Sequence, residues 1–331
     1  MSRRFLLLLS LLISLLFVSV IWQALETDIL VLLERAWGKL GQGHYLSTKY
    51  EDDIPLQIDP KGNKLYNPLL IATAAKDEYF LKEDPSHLVR FIKLTDWLIN
   101  HGVETDSSFF LYHETELPGY ELRKPWLSAP TQAAVMNALA HRASTERNLE
   151  IYAKAIKAFH TLRPDKRNLG VALNDTCFWY MTYPNVKPHY VLSGMLSVLI
   201  ELNYYYLLTK DPLAMELFDN GLNAVQALLP EYDYHGYSYY DLRGKKATRL
   251  QHKKHIQLLG HLNEIRPSRA LEYYHNRWQK ADTYPVLWQM ILNPSPRRVL
   301  AFMIPLVLIW WITFELLGGR TKKEPDDLEH S

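Results

Sequence analysis

The residues best suited to chemistry in this chain are Tyr183, Tyr240 and Arg243. They lie in two aromatic segments, Phe178-Trp179-Tyr180-Met181-Thr182-Tyr183-Pro184 and Tyr239-Tyr240-Asp241-Leu242-Arg243. Aromatic rings with a guanidinium suit a surface that stacks on sugar rings and clamps an anionic group. A phenol exchanges protons near neutral pH only if its surroundings pull its pKa down from about 10, which Arg243 or a bound cation would do. Two blander readings stand beside these: Tyr183 as a ring packed on Pro184, and Arg243 as an ion-pair partner of Asp241 or Glu231.

Other side chains are candidate sugar contacts. Trp126, Trp179 and Tyr180 are either stacking platforms or core residues. Asn67 and Gln132, at expected helix starts, are either caps or ligands of sugar hydroxyls. His252 and His255 share one face of a helical turn, but Lys253 and Lys254 separate them and no carboxylate stands at matching spacing, so no metal is expected. There is no Gly-rich phosphate loop, no Gly-x-Ser-x-Gly elbow and no zinc-protease helix motif, and no cofactor is expected.

The elements that must position these groups read as four pairs of helices. They run Pro68 to Lys82 with Ser86 to His101, and Ala129 to Ala143 with Arg147 to Leu162, the latter hinged at Ser144-Thr145. Tyr190 to Leu208 with Pro212 to Leu229, and His252 to Ile265 with Ser268 to Ala281, complete the set. Their recurrence predicts an all-α fold, an (α/α) toroid-like array of helical hairpins. The long connectors, roughly 102–128, 163–188 and 230–251, are dense in Tyr, Trp, Asp and Arg and should fall on one rim, where the site is expected.

The chain has 331 residues, and its 37 Lys plus Arg against 36 Asp plus Glu argue against a nucleic-acid partner. Two apolar runs, Phe5 to Leu25 and Val299 to Leu317, are each long enough to span a bilayer. Arg3 and Arg4 precede the first; Arg320, Lys322 and Lys323 follow the second. That bias predicts a two-pass membrane protein with both termini cytoplasmic and the main domain extracytoplasmic, against the pull of Arg297 and Arg298. A cleaved signal peptide is the rival reading of the first run. The expected layout is an anchor (1–26), an extended arm or short hairpin (27–66), a helical domain (67–285), a second transmembrane helix (297–318) and a tail (319–331). Cys177 is the only cysteine, so no disulfide forms within the chain.

The connectors share an ordered set of motifs: Tyr66-Asn67-Pro68; Pro125-Trp126-Leu127-Ser128-Ala129 with Gln132; Trp179 to Pro184; Leu229-Pro230; Tyr240-Asp241-Leu242-Arg243; and His252-x-x-His255-Ile256. This order resembles the C-terminal domain of D-glucuronyl C5-epimerases, over roughly Asn67 to Trp278. The resemblance implies an (α/α) toroid-like domain acting on a uronic-acid polysaccharide, heparosan or heparan in the known enzymes. Inverting C5 of a uronate needs two acid/base groups flanking the ring and a cation on the carboxylate. By the resemblance, Tyr240 is the catalytic phenol and Arg243 the carboxylate clamp. The family's Glu-Tyr-Pro is here Thr182-Tyr183-Pro184, and a family Tyr before the His pair is here Gln251. Neither Thr nor Gln takes up a proton near neutral pH. The expectation is therefore a membrane-anchored isomerase of uronate glycans, in polysaccharide biosynthesis. A uronate lyase is a further alternative within the enzyme class. The alternative outside it is an inert glycan-binding partner of a polysaccharide synthase or exporter.

Overall fold

Prolines and capping side chains punctuate the body of the chain. The computed structural model describes residues 3–39, 47–59, 62–165, 172–173, 178–184, 188–292 and 296–317. Helices α2 (Pro68–Phe80), α3 (Pro85–His101) and α7 (Pro212–Tyr232) each open on a proline whose preceding Asn67, Asp84 or Asp211 accepts first-turn amides. Helices α4 (Ala129–Glu146) and α5 (Leu149–His160) are divided by Arg147, at φ 53°, and by Asn148, whose side chain caps α5. The break thus falls after the expected Ser144-Thr145 hinge, because the αL residue and the cap, not the hydroxyl pair, end the hydrogen-bond ladder. Lys210, at φ 59°, ends α6 (Leu192–Thr209) in the same way. α8 (Arg249–Ile265) and α9 (Arg269–Asp282) complete the fourth pair.

Each pair is a hairpin, and α2, α4, α6 and α8 pack in succession. The sequence pattern fits that layering. α4 and α6 are buried on nearly every side, whereas α3, α5 and α9 are amphipathic, each packed on the first helix of its own pair. The fold is all-α, a toroid-like array of helical hairpins. An ion pair of Lys76 with Glu201, joined by Asn137 Nδ2 at 2.7 Å from Glu201 Oε2, stitches α2, α4 and α6 together. Such a buried pair is costly to break from one side.

Three strands form an antiparallel sheet: β1 (Ser47–Glu51), β2 (Ile54–Ile58) and β3 (Lys64–Leu65). It is more than the arm or hairpin expected from Pro55, Pro60 and Gly62. Two-residue ladders pin the connectors: β4 (Val103–Glu104) with β5 (Phe109–Phe110), β6 (Ala172–Leu173) with β7 (Trp179–Tyr180), and β8 (Asp233–Tyr234) with β9 (Tyr237–Ser238). The last pair turns through His235 and Gly236, both at positive φ, which suits the strand twist.

Two units make up the chain, residues 44–282 and residues 1–43 with 283–331. In the second, α1 (Arg3–Lys39) continues well past the expected end of the anchor at residue 26. With α10 (Val286–Leu292) it also contains α11 (Pro296–Leu316). The spans Arg4–Trp22 and Val299–Leu316 are long and apolar enough to cross a membrane. They pack through Val18 and Trp22 against Ala301, Phe302 and Leu306, and Ser14 meets Thr313 at 3.1 Å between hydroxyls. Cys177, the 319–331 tail and parts of the arm and of the 163–188 connector lie outside the described residues.

Candidate functional site

The site forms where the connectors cross the N-terminal ends of α4, α6 and α8. The 178–184 segment is tied to α4 by the Ala129 amide, which donates to the Met181 carbonyl at 2.9 Å. Gly194 of α6 is required there, since a Cβ would lie 1.8 Å from Thr182 Oγ1. The 240–245 loop is tied to α6 by the Leu192 amide, which donates to the Tyr240 carbonyl at 3.1 Å. Buried Asp241 closes that loop: its Oδ1 accepts from the amides of Arg243 (3.0 Å) and Lys245 (3.2 Å). Gly244, at φ 81°, permits the reversal.

This framework brings Tyr183, Tyr240 and Arg243 into one neighbourhood. The two phenol oxygens are 3.2 Å apart. Tyr120, from the turn Pro118–Tyr120, stacks on Tyr183 with ring centroids 3.9 Å apart. Lys245 Nζ donates to the Tyr120 hydroxyl at 2.7 Å and lies 4.9 Å from the centre of the Tyr240 ring. Arg243 Nη1 donates to His189 Nε2 at 3.3 Å, and His189 Nδ1 faces Asp241 Oδ2 at 3.4 Å. The imidazole also meets Tyr120 edge-on at 5.0 Å. Trp126, stacked on His113 at 4.1 Å, borders Tyr183 at 6.0 Å.

Burial, the dominant effect, raises the pKa of Tyr120, Tyr183 and Tyr240. For Tyr183 the bond from Tyr240 and the charge of Lys245 pull the other way without prevailing. The expected lowering of a phenol by Arg243 is therefore not found; the guanidinium is turned to His189. What gathers is a set of protonated phenols beside two cations. It can donate protons and hold a carboxylate.

Several expected sugar contacts are structural. Trp179 and Tyr180 are fully buried, Trp179 stacked on Tyr232 and edge-on to Tyr190, and Tyr180 set edge-on to Phe178. Their alternate pointing in β7 places both inside because the segment is sandwiched between helices. Gln132 is fully buried and satisfied by the Leu111 amide, the Phe109 carbonyl and Thr161. It fixes the 105–128 connector to α4. Asn67 caps α2 and reaches Gln57. His252 and His255 are buried and both direct Nδ1 at the Ser238 hydroxyl, at 2.9 and 2.7 Å. Desolvation lowers their pKa to about 4 and about 3. Among the described residues no group of three or more His, Cys, Asp or Glu is placed to hold a metal. Gln251 is spent in a capping box with Thr248.

Sequence reasoning missed Tyr120, His189 and Lys245. None belongs to a motif of its own. Tyr120 does lie in a connector marked by its length, His189 directly follows another, and Lys245 follows Tyr-Asp-Leu-Arg by two residues.

Residues 105–280 match the family described as D-glucuronyl C5-epimerase C-terminus. The chain belongs to that family. It is 28% identical over 213 residues to an uncharacterized protein of Methanocaldococcus jannaschii, covering 60% of this chain and 69% of that one. It is 25% identical over 286 residues to a D-glucuronyl C5-epimerase of Caenorhabditis elegans, covering 78% of this chain and 44% of the worm protein. The chain thus spans less than half the length of that enzyme. A GH76 α-mannanase of Bacteroides thetaiotaomicron superposes with a TM-score of 0.46 at 11% identity, over 79% of this chain and 72% of that one. The fold assignment rests on this chain's own helix packing.

Proposed function

We propose that this protein is a membrane-anchored carbohydrate-active enzyme that exchanges the C5 proton of uronic-acid residues in a polysaccharide. The observation that carries the reading is the 3.2 Å contact of Tyr183 and Tyr240 in the same loop cluster as Arg243. Protonated phenols suit the return of a proton to C5, and Arg243 suits the carboxylate whose charge grows as C5 loses its own. Trp126 offers a ring at the edge of the cluster, and the apolar helices α1 and α11 would hold the enzyme in a bilayer, facing a glycan outside the cytoplasm. A synthase or exporter of the same glycan fits as a partner.

Detergent-solubilised protein incubated with heparosan in deuterated water tests this. Label at C5 without chain cleavage is expected; unsaturated chain ends would redirect the reading to a lyase. The absence of both, with the glycan still bound, would overturn it in favour of a second reading, an inert glycan-binding subunit. That reading draws on Thr182 and on Gln251, whose side chain is committed to the helix cap.

A further inference from the structure

The phenols of the site are proton donors, and the family's Glu is Thr182 in this chain. A C5 exchange then lacks a proton acceptor. Asp241 does not serve: its Oδ1 is held by two backbone amides. His189 has the required geometry. A guanidinium has no lone pair to offer, so its 3.3 Å contact with Nε2 makes Nε2 the bare, accepting nitrogen. The ring proton is then on Nδ1, which makes no hydrogen bond and lies 3.4 Å from Asp241 Oδ2, within reach of its charge. A lone pair on Nε2, with a carboxylate close enough to Nδ1 to stabilise the imidazolium once it forms, suits an imidazole to act as a general base.

The backbone fixes this orientation. The His189 carbonyl accepts from the Leu242 amide at 3.2 Å, and the next residue, Tyr190, stands at φ 50° with its carbonyl held by the Tyr232 hydroxyl. A bulky residue at positive φ is strained and persists where its surroundings over-determine it. The groups that contact the imidazole are Asp241 and Arg243 from the 240–245 loop and Tyr120 from the 105–128 connector. Lys245 and Tyr183 stand one contact further, through Tyr120.

We propose that His189 is the catalytic base of this site, with the Asp241 carboxylate beside Nδ1 stabilising the imidazolium that forms. The inference rests on the reading of the protein as a uronate C5-exchanging enzyme. A substrate carboxylate paired with Arg243 would draw the guanidinium from Nε2 and leave the lone pair to the sugar. The C5–H bond then breaks, its electron pair moves onto the carboxylate as an enediolate, and the proton goes to Nε2. The phenol pair returns a proton to C5 from the opposite face, and the imidazolium passes its proton to the phenolate through water. No proton is consumed overall.

Three measurements on the full chain in detergent test this. In the ligand-free protein, nitrogen-15 spectra of histidine should assign His189 as the Nδ1–H tautomer; the Nε2–H tautomer would overturn the proposal whatever the activity. With heparosan in deuterated water, His189→Ala should lower the C5 exchange rate about 10²–10⁴-fold with KM little changed, and added imidazole should restore part of it. Asp241→Asn, which removes the charge beside the imidazolium, should lower the exchange rate with KM little changed. Exchange by His189→Ala within threefold of the parent would sink the base assignment while leaving the C5 reading intact. A parent that exchanges no label would remove both.

Discussion

At the residue scale, the phenols and the guanidinium have separable roles. Tyr183 and Tyr240 share a hydrogen bond in a half-buried cluster, and burial holds both protonated. Arg243 sits at the exposed edge of the 240–245 loop, where a planar fork matches a carboxylate better than an ammonium does. If Arg243 holds the substrate carboxylate in the ground state and holds it more tightly as charge grows in the transition state, Arg243→Met should raise KM and lower kcat together. Tyr240→Phe, which removes only a transferable proton, should lower kcat by about 10²-fold or more at nearly constant KM. Steady-state tritium or deuterium release from C5-labelled heparosan measures both. Equal effects of the two variants on KM alone would show that the phenol is a packing group.

Helix existence was legible in the sequence, because prolines and capping residues mark the ends: Asn67-Pro68, Asp84-Pro85 and Asp211-Pro212 all open helices where expected. The site was legible only in part. Tyr-Asp-Leu-Arg carries its own signal, but His189 and Tyr120 reach the site through a strained backbone and a 3₁₀ turn, which have no periodicity to read. Trp179 and Tyr180 misled for the converse reason: aromatic composition marks a loop without saying that two helices enclose it. The junction of β9 with α8 makes a testable element. His252 and His255 are buried there around Ser238, with pKa values lowered from 6.5 to about 4 and about 3. Above pH 6.5 both are neutral folded or unfolded. Below it the unfolded chain binds protons that the folded one refuses, so stability falls from pH 6.5 towards 4, at about 1.4 kcal/mol per pH unit for each histidine. Urea unfolding between pH 7 and 5, followed by tryptophan fluorescence, should show that slope, and His255→Gln should reduce it. An unchanged slope in the variant would place the acid sensitivity elsewhere.

On the scale of the whole molecule, the chain is a helical domain of the C5-epimerase C-terminus family bracketed in sequence by two apolar helices. That order has a consequence for topology. Should both helices cross a bilayer, as proposed, the termini would lie on one side and the domain on the other, and Arg3, Arg4, Arg320, Lys322 and Lys323 would favour the cytoplasm for the termini. A polymer as large and charged as a uronate glycan would meet Tyr183 and Arg243 only on the outer side once it has been exported. Cys177, the single cysteine, makes the arrangement measurable. In a Cys177→Ser background, Ser2→Cys and Ser331→Cys should resist a membrane-impermeant maleimide in intact cells and react after permeabilisation. Thr73→Cys, on an exposed turn of α2, should react at once. Labelling of Ser2→Cys in intact cells would reverse the orientation. It would also move the proposed substrate to the cytoplasm, where a polysaccharide is still attached to its synthase and the exchange would precede export.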